Sequence, residues 1–357
     1  MMKLELNPAF CVRYSSKLSG CDKCEEICPV EAIKVSPGRV SIFQNECIGC
    51  GGCVGACPVE ALRLRDFSVR DFFFSFLKEE ESVISCKSNF VCLSALNPEY
   101  LISLALLKDF VLDLGHCEEC SIKEKCFPKI GSNIDEANFV LSKISDKSVK
   151  VKYLKLSKEK EKREDRREIF KLFSPKNLEK AAKEKKKELN AFKRPQVSIS
   201  PEDSVAKRDK IIPDKRKIFY SVLKRTKRPA FYEEIDGDKI TFLSSKEIDE
   251  SCDNCSICYR VCPSGALSAG GRGEVIYFDD MLCLRCGLCH DVCERDSVKN
   301  KRSFSVREFF EPTQKPLIKF TVIRCEECGN FFTYFGGERM CKRCRIEEEE
   351  AKNLWGI

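Results

Sequence analysis

The 25 cysteines of this 357-residue chain constrain its fold more than any other feature. Twenty-one of them lie in runs of two to four, with two or three residues between neighbours. The first residues lack the pattern of a secretory signal, and no stretch approaches the roughly 18 apolar residues of a membrane span. We therefore expect a cytoplasmic protein, in which disulfides are rare and clustered thiols bind metal.

Two cysteine-rich blocks carry the spacing of bacterial 4Fe-4S sites. Three thiolates on one tight loop can hold one cluster, while the fourth begins a helix and points away from them. Proline is tolerated after the fourth cysteine because a helix start needs no backbone donor there. Two runs match this pattern in full, namely Cys47-x2-Cys50-x2-Cys53-x3-Cys57-Pro58 and Cys252-x2-Cys255-x2-Cys258-x3-Cys262-Pro263.

The other run of each block departs from the pattern. Cys283-x2-Cys286-x2-Cys289-x3-Cys293 keeps the spacing, but Glu294 replaces the proline. Cys21-x2-Cys24-x3-Cys28-Pro29 supplies only three cysteines, because Leu18 stands at the first position. We predict that Cys11 replaces the missing ligand on a longer loop. The alternatives are a three-iron cluster or a ligand other than cysteine.

Both blocks resemble the bacterial dicluster ferredoxins. The resemblance includes a Pro-x-x-Ala motif that begins at Pro29, Pro58 and Pro263. The resemblance covers about 100 of the 357 residues. It implies crossed ligation, in which each fourth cysteine binds the other cluster of its pair, and thus four 4Fe-4S clusters. The implied ligands are Cys11, Cys21, Cys24 and Cys57 at site one, Cys47, Cys50, Cys53 and Cys28 at site two, Cys252, Cys255, Cys258 and Cys293 at site three, and Cys283, Cys286, Cys289 and Cys262 at site four.

A heptapeptide recurs after the two blocks. Residues 67–73 read FSVRDFF and residues 304–310 read FSVREFF, with six of seven positions identical. The repeat predicts a duplicated unit in which an aromatic segment packs the chain back after each block. Within the first block, the apolar runs 32–35 and 40–43 flank Ser-Pro-Gly-Arg, which predicts a hairpin.

Five further cysteines lie between the blocks. Apolar runs predict a strand at 83–86, a helix at 98–108 and a strand at 110–114, hence a small parallel α/β unit with these cysteines near one sheet edge. We predict a metal site there; buried free thiols are the alternative. The layout weakly resembles the small electron-transfer subunits of methanogen-type hydrogenase and heterodisulfide reductase assemblies, which implies a 2Fe-2S or other centre. The candidate ligands are Cys86, Cys92, Cys117, Cys120 and Cys126.

The tail carries two C-x2-C pairs on either side of an aromatic strand at 330–335. Four thiolates in this arrangement predict a zinc ribbon, a closed structural site. A rubredoxin-like iron is the alternative. The candidate ligands are Cys325, Cys328, Cys341 and Cys344.

The fold class is therefore α+β, with five segments. We predict a first dicluster domain at 1–66, a cysteine-rich α/β unit at 67–153, a basic helical linker at 154–235, a second dicluster domain at 236–310 and a zinc ribbon tail at 311–357. The linker prediction depends on residues 155–194, which carry 16 Lys and Arg against 8 Asp and Glu. Such a charge run is typical of a solvated helix.

These features favour an electron-transfer subunit of an oxidoreductase complex, whose catalytic or flavin site lies on a partner chain. A nucleic-acid or ribosome-associated protein with structural clusters is the second class, since the stretch 155–228 is basic. A sulfur or disulfide oxidoreductase at the Cys86 to Cys126 site is the third. No Ser-His-Asp set or phosphate-binding glycine loop is present.

Overall fold

Short helices and strands alternate along the chain, and the structure, a computed structural model, describes residues 4–154 and 210–356. The described residues belong to one compact unit. The strands are β1 (Leu4–Leu6), β2 (Ile33–Ser36), β3 (Arg39–Ile42), β4 (Leu62–Leu64), β5 (Val83–Ile84), β6 (Val111–Asp113), β7 (Lys150–Lys152), β8 (Glu234–Asp236), β9 (Lys246–Ile248), β10 (Leu267–Gly270), β11 (Val275–Asp279), β12 (Val298–Asn300), β13 (Ser303–Ser305), β14 (Gln314–Lys319), β15 (Val322–Arg324) and β16 (Phe331–Thr333). The helices are α1 (Val12–Ser15), α2 (Lys23–Glu26), α3 (Gly52–Ala56), α4 (Val69–Phe76), α5 (Pro98–Leu107), α6 (Lys123–Ile144), α7 (Asp214–Leu223), α8 (Ile257–Val261), α9 (Leu288–Asp291), α10 (Arg307–Phe310) and α11 (Lys342–Trp355). This mixture is consistent with the α+β class.

The first cysteine block folds through two antiparallel strand pairs. The outer strands β1 and β4 pair with Leu4 opposite Leu64. The inner strands β2 and β3 form the predicted hairpin, with Ile33 opposite Ile42. Gly38 takes a φ of +71° in the turn, a conformation that glycine adopts without steric cost. The cysteine loops connect these two pairs.

The second cysteine block has the same pairing order. Its outer strands β9 and β12 pair with Ile248 opposite Val298, and its inner strands β10 and β11 form a hairpin. Strand β14 adds to the free edge of β11. In both blocks, therefore, the first strand pairs with the last and the middle two pair with each other.

A three-stranded parallel sheet follows the first block, and the apolar runs predicted two of its strands, β5 and β6. Its order is β5-β6-β7, with Val83 opposite Val111. Helix α5 lies between β5 and β6 in the chain, and Asn97 caps it by accepting a hydrogen bond from the backbone N–H of Tyr100. Helix α6 and strand β7, which the sequence did not predict, complete the unit.

Helix α7 packs against α5 although its sequence is strongly charged. Of the predicted linker 154–235, residues 155–209 lie outside the described residues, and α7 falls in the remainder. Arg216 of α7 and Glu99 of α5 are each 1% exposed and form an ion pair of 2.5 Å. A buried charge requires such a partner, so the pairing explains how a basic helix enters the core.

The two aromatic segments also enter this core. Phe73 of α4 and Phe309 of α10 are each 1% exposed and belong to the same hydrophobic cluster. Both aromatic segments are thus buried, but Phe309 lies in the cluster that contains the first block and not in the core of the second block. No helix within residues 4–154 and 210–356 is long and apolar enough to cross a membrane.

Candidate metal centres

Three of the cysteine loops share one backbone geometry. The residue on each side of the middle cysteine lies in the left-handed region, where a residue other than glycine is uncommon and marks a local constraint. In the two loops of the second block, the three cysteines of each loop line one cavity. The left-handed residues are Gly49 (φ +71°) and Gly51 (φ +79°) around Cys50, Asn254 (φ +55°) and Ser256 (φ +71°) around Cys255, and Arg285 (φ +44°) and Gly287 (φ +81°) around Cys286.

A second left-handed position follows every fourth cysteine by three residues. It is occupied by Glu31, Glu60, Gly265 and Asp296. The turn at Glu31 lets the backbone N–H of Ala32 donate to Cys28 Sγ at 3.2 Å. The equivalent bond from Ala61 to Cys57 Sγ is 3.3 Å. Hydrogen bonds of this kind stabilise a thiolate and influence the reduction potential of a cluster that it binds.

Site one brings together all four of its predicted cysteines. Cys11, Cys21, Cys24 and Cys57 line one small cavity with apolar neighbours such as Val59. Burial, together with negative charge on Cys57, Cys21 and Cys11, raises the pKa of the Cys24 thiol to about 12. The side chain of Leu18, at the position of the missing cysteine, is 65% exposed. Cys11 therefore lies where a fourth ligand is needed.

Site two also gathers its predicted set. Burial raises the pKa of Cys53 well above its usual value, with further contributions from Cys50, Cys24, Cys28 and Cys47. Cys28, Cys47 and Cys50 are the other predicted members of this site, whereas Cys24 belongs to site one. Sites one and two are therefore neighbours, as crossed ligation requires.

Sites three and four repeat this arrangement. Cys252, Cys255, Cys258 and Cys293 line one cavity, and Cys262, Cys283, Cys286 and Cys289 line another. Burial and the negative charge of neighbouring thiols raise the pKa of Cys258 to about 12, and the largest of these charge effects comes from Cys289 in site four. At each of the four sites, four thiols enclosed by partly apolar walls form a donor set that fits a 4Fe-4S cluster.

Site one packs against site four. Val12, Cys57 and Val59 share a hydrophobic cluster with Leu284 and Leu288, which flank Cys286 in sequence. Polar contacts support the same interface. They run from the Gly20 N–H to Asp291 Oδ2 at 2.7 Å and from Lys23 Nζ to the Arg285 carbonyl oxygen at 3.4 Å. Through this interface the four sites follow one another in the order two, one, four, three.

The five cysteines of the α/β unit separate into a group of four and one that faces site two. Cys86 and Cys117 follow the carboxyl ends of β5 and β6. Burial raises the pKa of Cys117 to about 12, with further contributions from Cys86, Cys92 and Cys120. The structure thus brings four of the five together at the predicted sheet edge.

Cys126 occupies a position that the sequence did not reveal. Its thiol lies within hydrogen-bonding reach of both Cys50 of site two and Cys92, and this proximity lowers the pKa of Cys50 to about 7 and that of Cys92 to about 6. Helix α6, which carries Cys126, therefore joins the α/β group to site two. No spacing rule relates Cys126 to Cys50, since they are distant in the chain.

The four cysteines of the tail are arranged differently from those of the other sites. Their sulfur atoms all lie within 4.8 Å of one another, and Cys328 Sγ and Cys341 Sγ are 3.8 Å apart. A tetrahedral ion with bonds of about 2.3 Å to sulfur requires sulfur separations of about 3.8 Å. Backbone N–H groups of Cys328 and Cys341 lower the pKa of Cys325 to about 6. The tail therefore holds a preformed set of four thiols for a single ion.

Two family models match the chain, one in each block. Residues 251–297 match a model described as a 4Fe-4S dicluster domain. Residues 19–68 match a model described as an LdpA Fe-S cluster-binding domain. A search of the curated proteins found no match. The chain thus contains a 4Fe-4S dicluster domain and an Fe-S cluster-binding domain, and the two matched segments include every predicted ligand of sites one to four except Cys11.

Proposed function

We propose that this protein transfers electrons between partner redox proteins through four 4Fe-4S clusters, held by the cysteine sets of sites one to four. When bound, such clusters supply one-electron redox centres. The shared strand pairing and the shared left-handed positions support two dicluster modules that arose by duplication. The two family matches support cluster binding in both modules.

The contact between sites one and four carries this proposal. Clusters that only stabilised their own modules would not need sites in different modules to adjoin. Here Cys57, Val59 and Leu288 belong to one cluster of buried side chains, and Cys286 packs against that cluster. The interface makes two pairs of sites into one continuous series, which is what transfer across the protein requires.

The two ends of the series differ, and we infer that each is an exchange point with a partner. At the site-two end, the group Cys86, Cys92, Cys117 and Cys120 is a further metal-binding set, and Cys86 is exposed. At the other end, Cys255 of site three is also exposed. A catalytic or flavin subunit that meets either end is the partner class that this layout fits.

The tail site is proposed to hold structural zinc. Its four thiolates close a tetrahedron and leave no open position for chemistry. Strands β15 and β16 form a hairpin beside this site, and the hairpin contacts the loop of site three, because Asn254 Nδ2 donates to Thr333 Oγ1 at 2.9 Å. It also contacts the turn between β10 and β11, where the Arg272 guanidinium lies 3.8 Å from the centre of the Phe331 ring. Zinc there would fix the position of this hairpin beside the end of the series.

Anaerobic purification of the full chain tests the proposal. Four clusters require about 16 iron atoms per chain, with further iron if the Cys86 to Cys120 group also binds a cluster. Visible absorbance should bleach on reduction and return on oxidation. Full iron content with no reversible bleaching would instead assign the clusters a structural role and overturn the proposal.

A further inference from the structure

One cavity within the described residues lies where three cysteine sites meet. Its volume is about 680 Å³, within the range of about 300–1,000 Å³ that is usual for small-molecule sites. Pro58 follows Cys57 of site one, Gly55 lies in helix α3 together with Cys53 of site two, and Leu284 follows Cys283 of site four. All three residues line the cavity.

The cavity is strongly basic. Five cationic side chains line it, against the carboxylates of Glu26 and Glu99, and Glu99 is already paired with Arg216. The remaining walls include Ile27, Pro128 and Phe242. The cationic residues are Lys23, Lys125, Lys129, Lys215 and Arg285.

Two of these cations donate hydrogen bonds to the backbone of the cysteine sites. Lys215 Nζ donates to the Cys57 carbonyl oxygen at 2.7 Å, and Lys125 Nζ donates to the Cys28 carbonyl oxygen at 3.0 Å. Lys129 is different, because its ammonium group makes no hydrogen bond or ion pair with any residue that the structure describes. Burial lowers the pKa of Lys129, and the negative charges of Glu136 and Glu26 oppose this shift only in part. A half-buried ammonium group without a partner is costly, and an anion in the cavity would offset that cost.

We propose that this cavity binds a small organic anion that carries carboxylate or phosphate groups, with Lys129 as a direct partner. Apolar walls hold the body of such a ligand and the cations hold its charged groups. Electron transfer along the series does not require this site, so the proposal goes beyond the proposed function. It makes the junction of sites one, two and four a place where a small molecule can meet the clusters.

Calorimetric titration of the cluster-loaded full chain tests this proposal, with citrate as the carboxylate probe and pyrophosphate as the phosphate probe. The test variant is Lys129→Gln, which keeps much of the side-chain length and removes the charge. The matched control is Lys78→Gln, because Lys78 is exposed and does not line the cavity. Lys129→Arg restores the charge.

We expect at least one probe to bind the unaltered protein and to bind Lys129→Gln about tenfold more weakly or worse, since a hydrogen bond to a charged group is lost. Lys78→Gln should bind normally and Lys129→Arg should recover much of the affinity. The probe that binds more tightly assigns the ligand to phosphates or carboxylates. Absence of binding by both probes, or equal binding by the two glutamine variants, would overturn the proposal.

Iron content and reversible bleaching are measured on the same samples. If bleaching is reversible but neither probe binds, the cavity cations only balance the charge of the clusters, and the anion site alone fails. If the clusters cannot be reduced, the proposed function fails whether or not an anion binds.

Discussion

The exchange Arg216→Met should weaken the connection between helix α7 and site four. The Arg216 guanidinium pairs with Glu99 and donates to the carbonyl oxygens of Cys283 and Phe242, each at 2.7 Å. Methionine fills much of the same space but leaves a carboxylate that is 1% exposed without its main partner. Loss of one partner from a buried ion pair lowers the free energy of unfolding by about 3–5 kcal/mol.

The assay follows the loss of visible absorbance in urea without oxygen, as a rate, because unfolding with cluster loss is irreversible. If half of the lost free energy appears in the unfolding barrier, the variant should bleach roughly ten- to seventyfold faster.

A control that involves the same helix is Arg70→Met. It breaks an ion pair between α4 and Asp214 of α7 in which the side chains are 53% and 39% exposed, so it should change the free energy of unfolding by less than about 1 kcal/mol. The double exchange of Glu99→Leu with Arg216→Met should recover much of the loss, since no charge is then stranded. Equal bleaching rates for Arg216→Met and Arg70→Met would show that the buried ion pair contributes no more to stability than the exposed one.

Three further predictions concern individual sites. Cys11→Ser leaves three thiols at site one, so its 4Fe-4S signal in electron paramagnetic resonance should give way to that of a three-iron cluster or vanish; an unchanged signal would mean that another residue is the ligand. Cys328→Ser should remove one zinc per chain and leave the iron content intact, as elemental analysis can measure, whereas a parallel loss of iron would contradict a separate zinc site. Gly55→Ala would place a Cβ 2.5 Å from the carbonyl oxygen of Ser94, so α3 must shift and the free energy of unfolding should fall by about 1–3 kcal/mol. Its control is Gly131→Ala in helix α6, where no described atom lies within 4 Å of the added Cβ; that variant should be neutral or slightly stabilised in urea, and equal behaviour of the two alanine variants would count against the contact.

The sequence was most informative where structure is local. The hairpin of β2 and β3 depends on a short turn, and helix α5 depends on an Asn-Pro start that caps it. The cysteine runs were also readable, because ligand spacing within one loop is a local property. These features require no knowledge of what the chain packs against.

The contacts between elements could not be predicted from the sequence, because they join residues that are distant in the chain. Arg216 meets Glu99 across 117 positions, and composition alone assigned its segment to a solvated linker. Cys126 reaches Cys50 only because helix α6 returns over site two. The left-handed backbone at Asn254, Ser256 and Arg285 could not be predicted either, because glycine is the usual sequence signal of such a conformation.

The proposed series of redox centres joins the two modules through the contact of site one with site four. Electron paramagnetic resonance of the stepwise reduced full chain measures this connection. We predict signals from four 4Fe-4S clusters with magnetic coupling inside each pair and also between the pairs, and loss of the coupling between pairs in Cys286→Ser. Two pairs of clusters without magnetic coupling between them, or clusters that accept no electron, would contradict the proposed series.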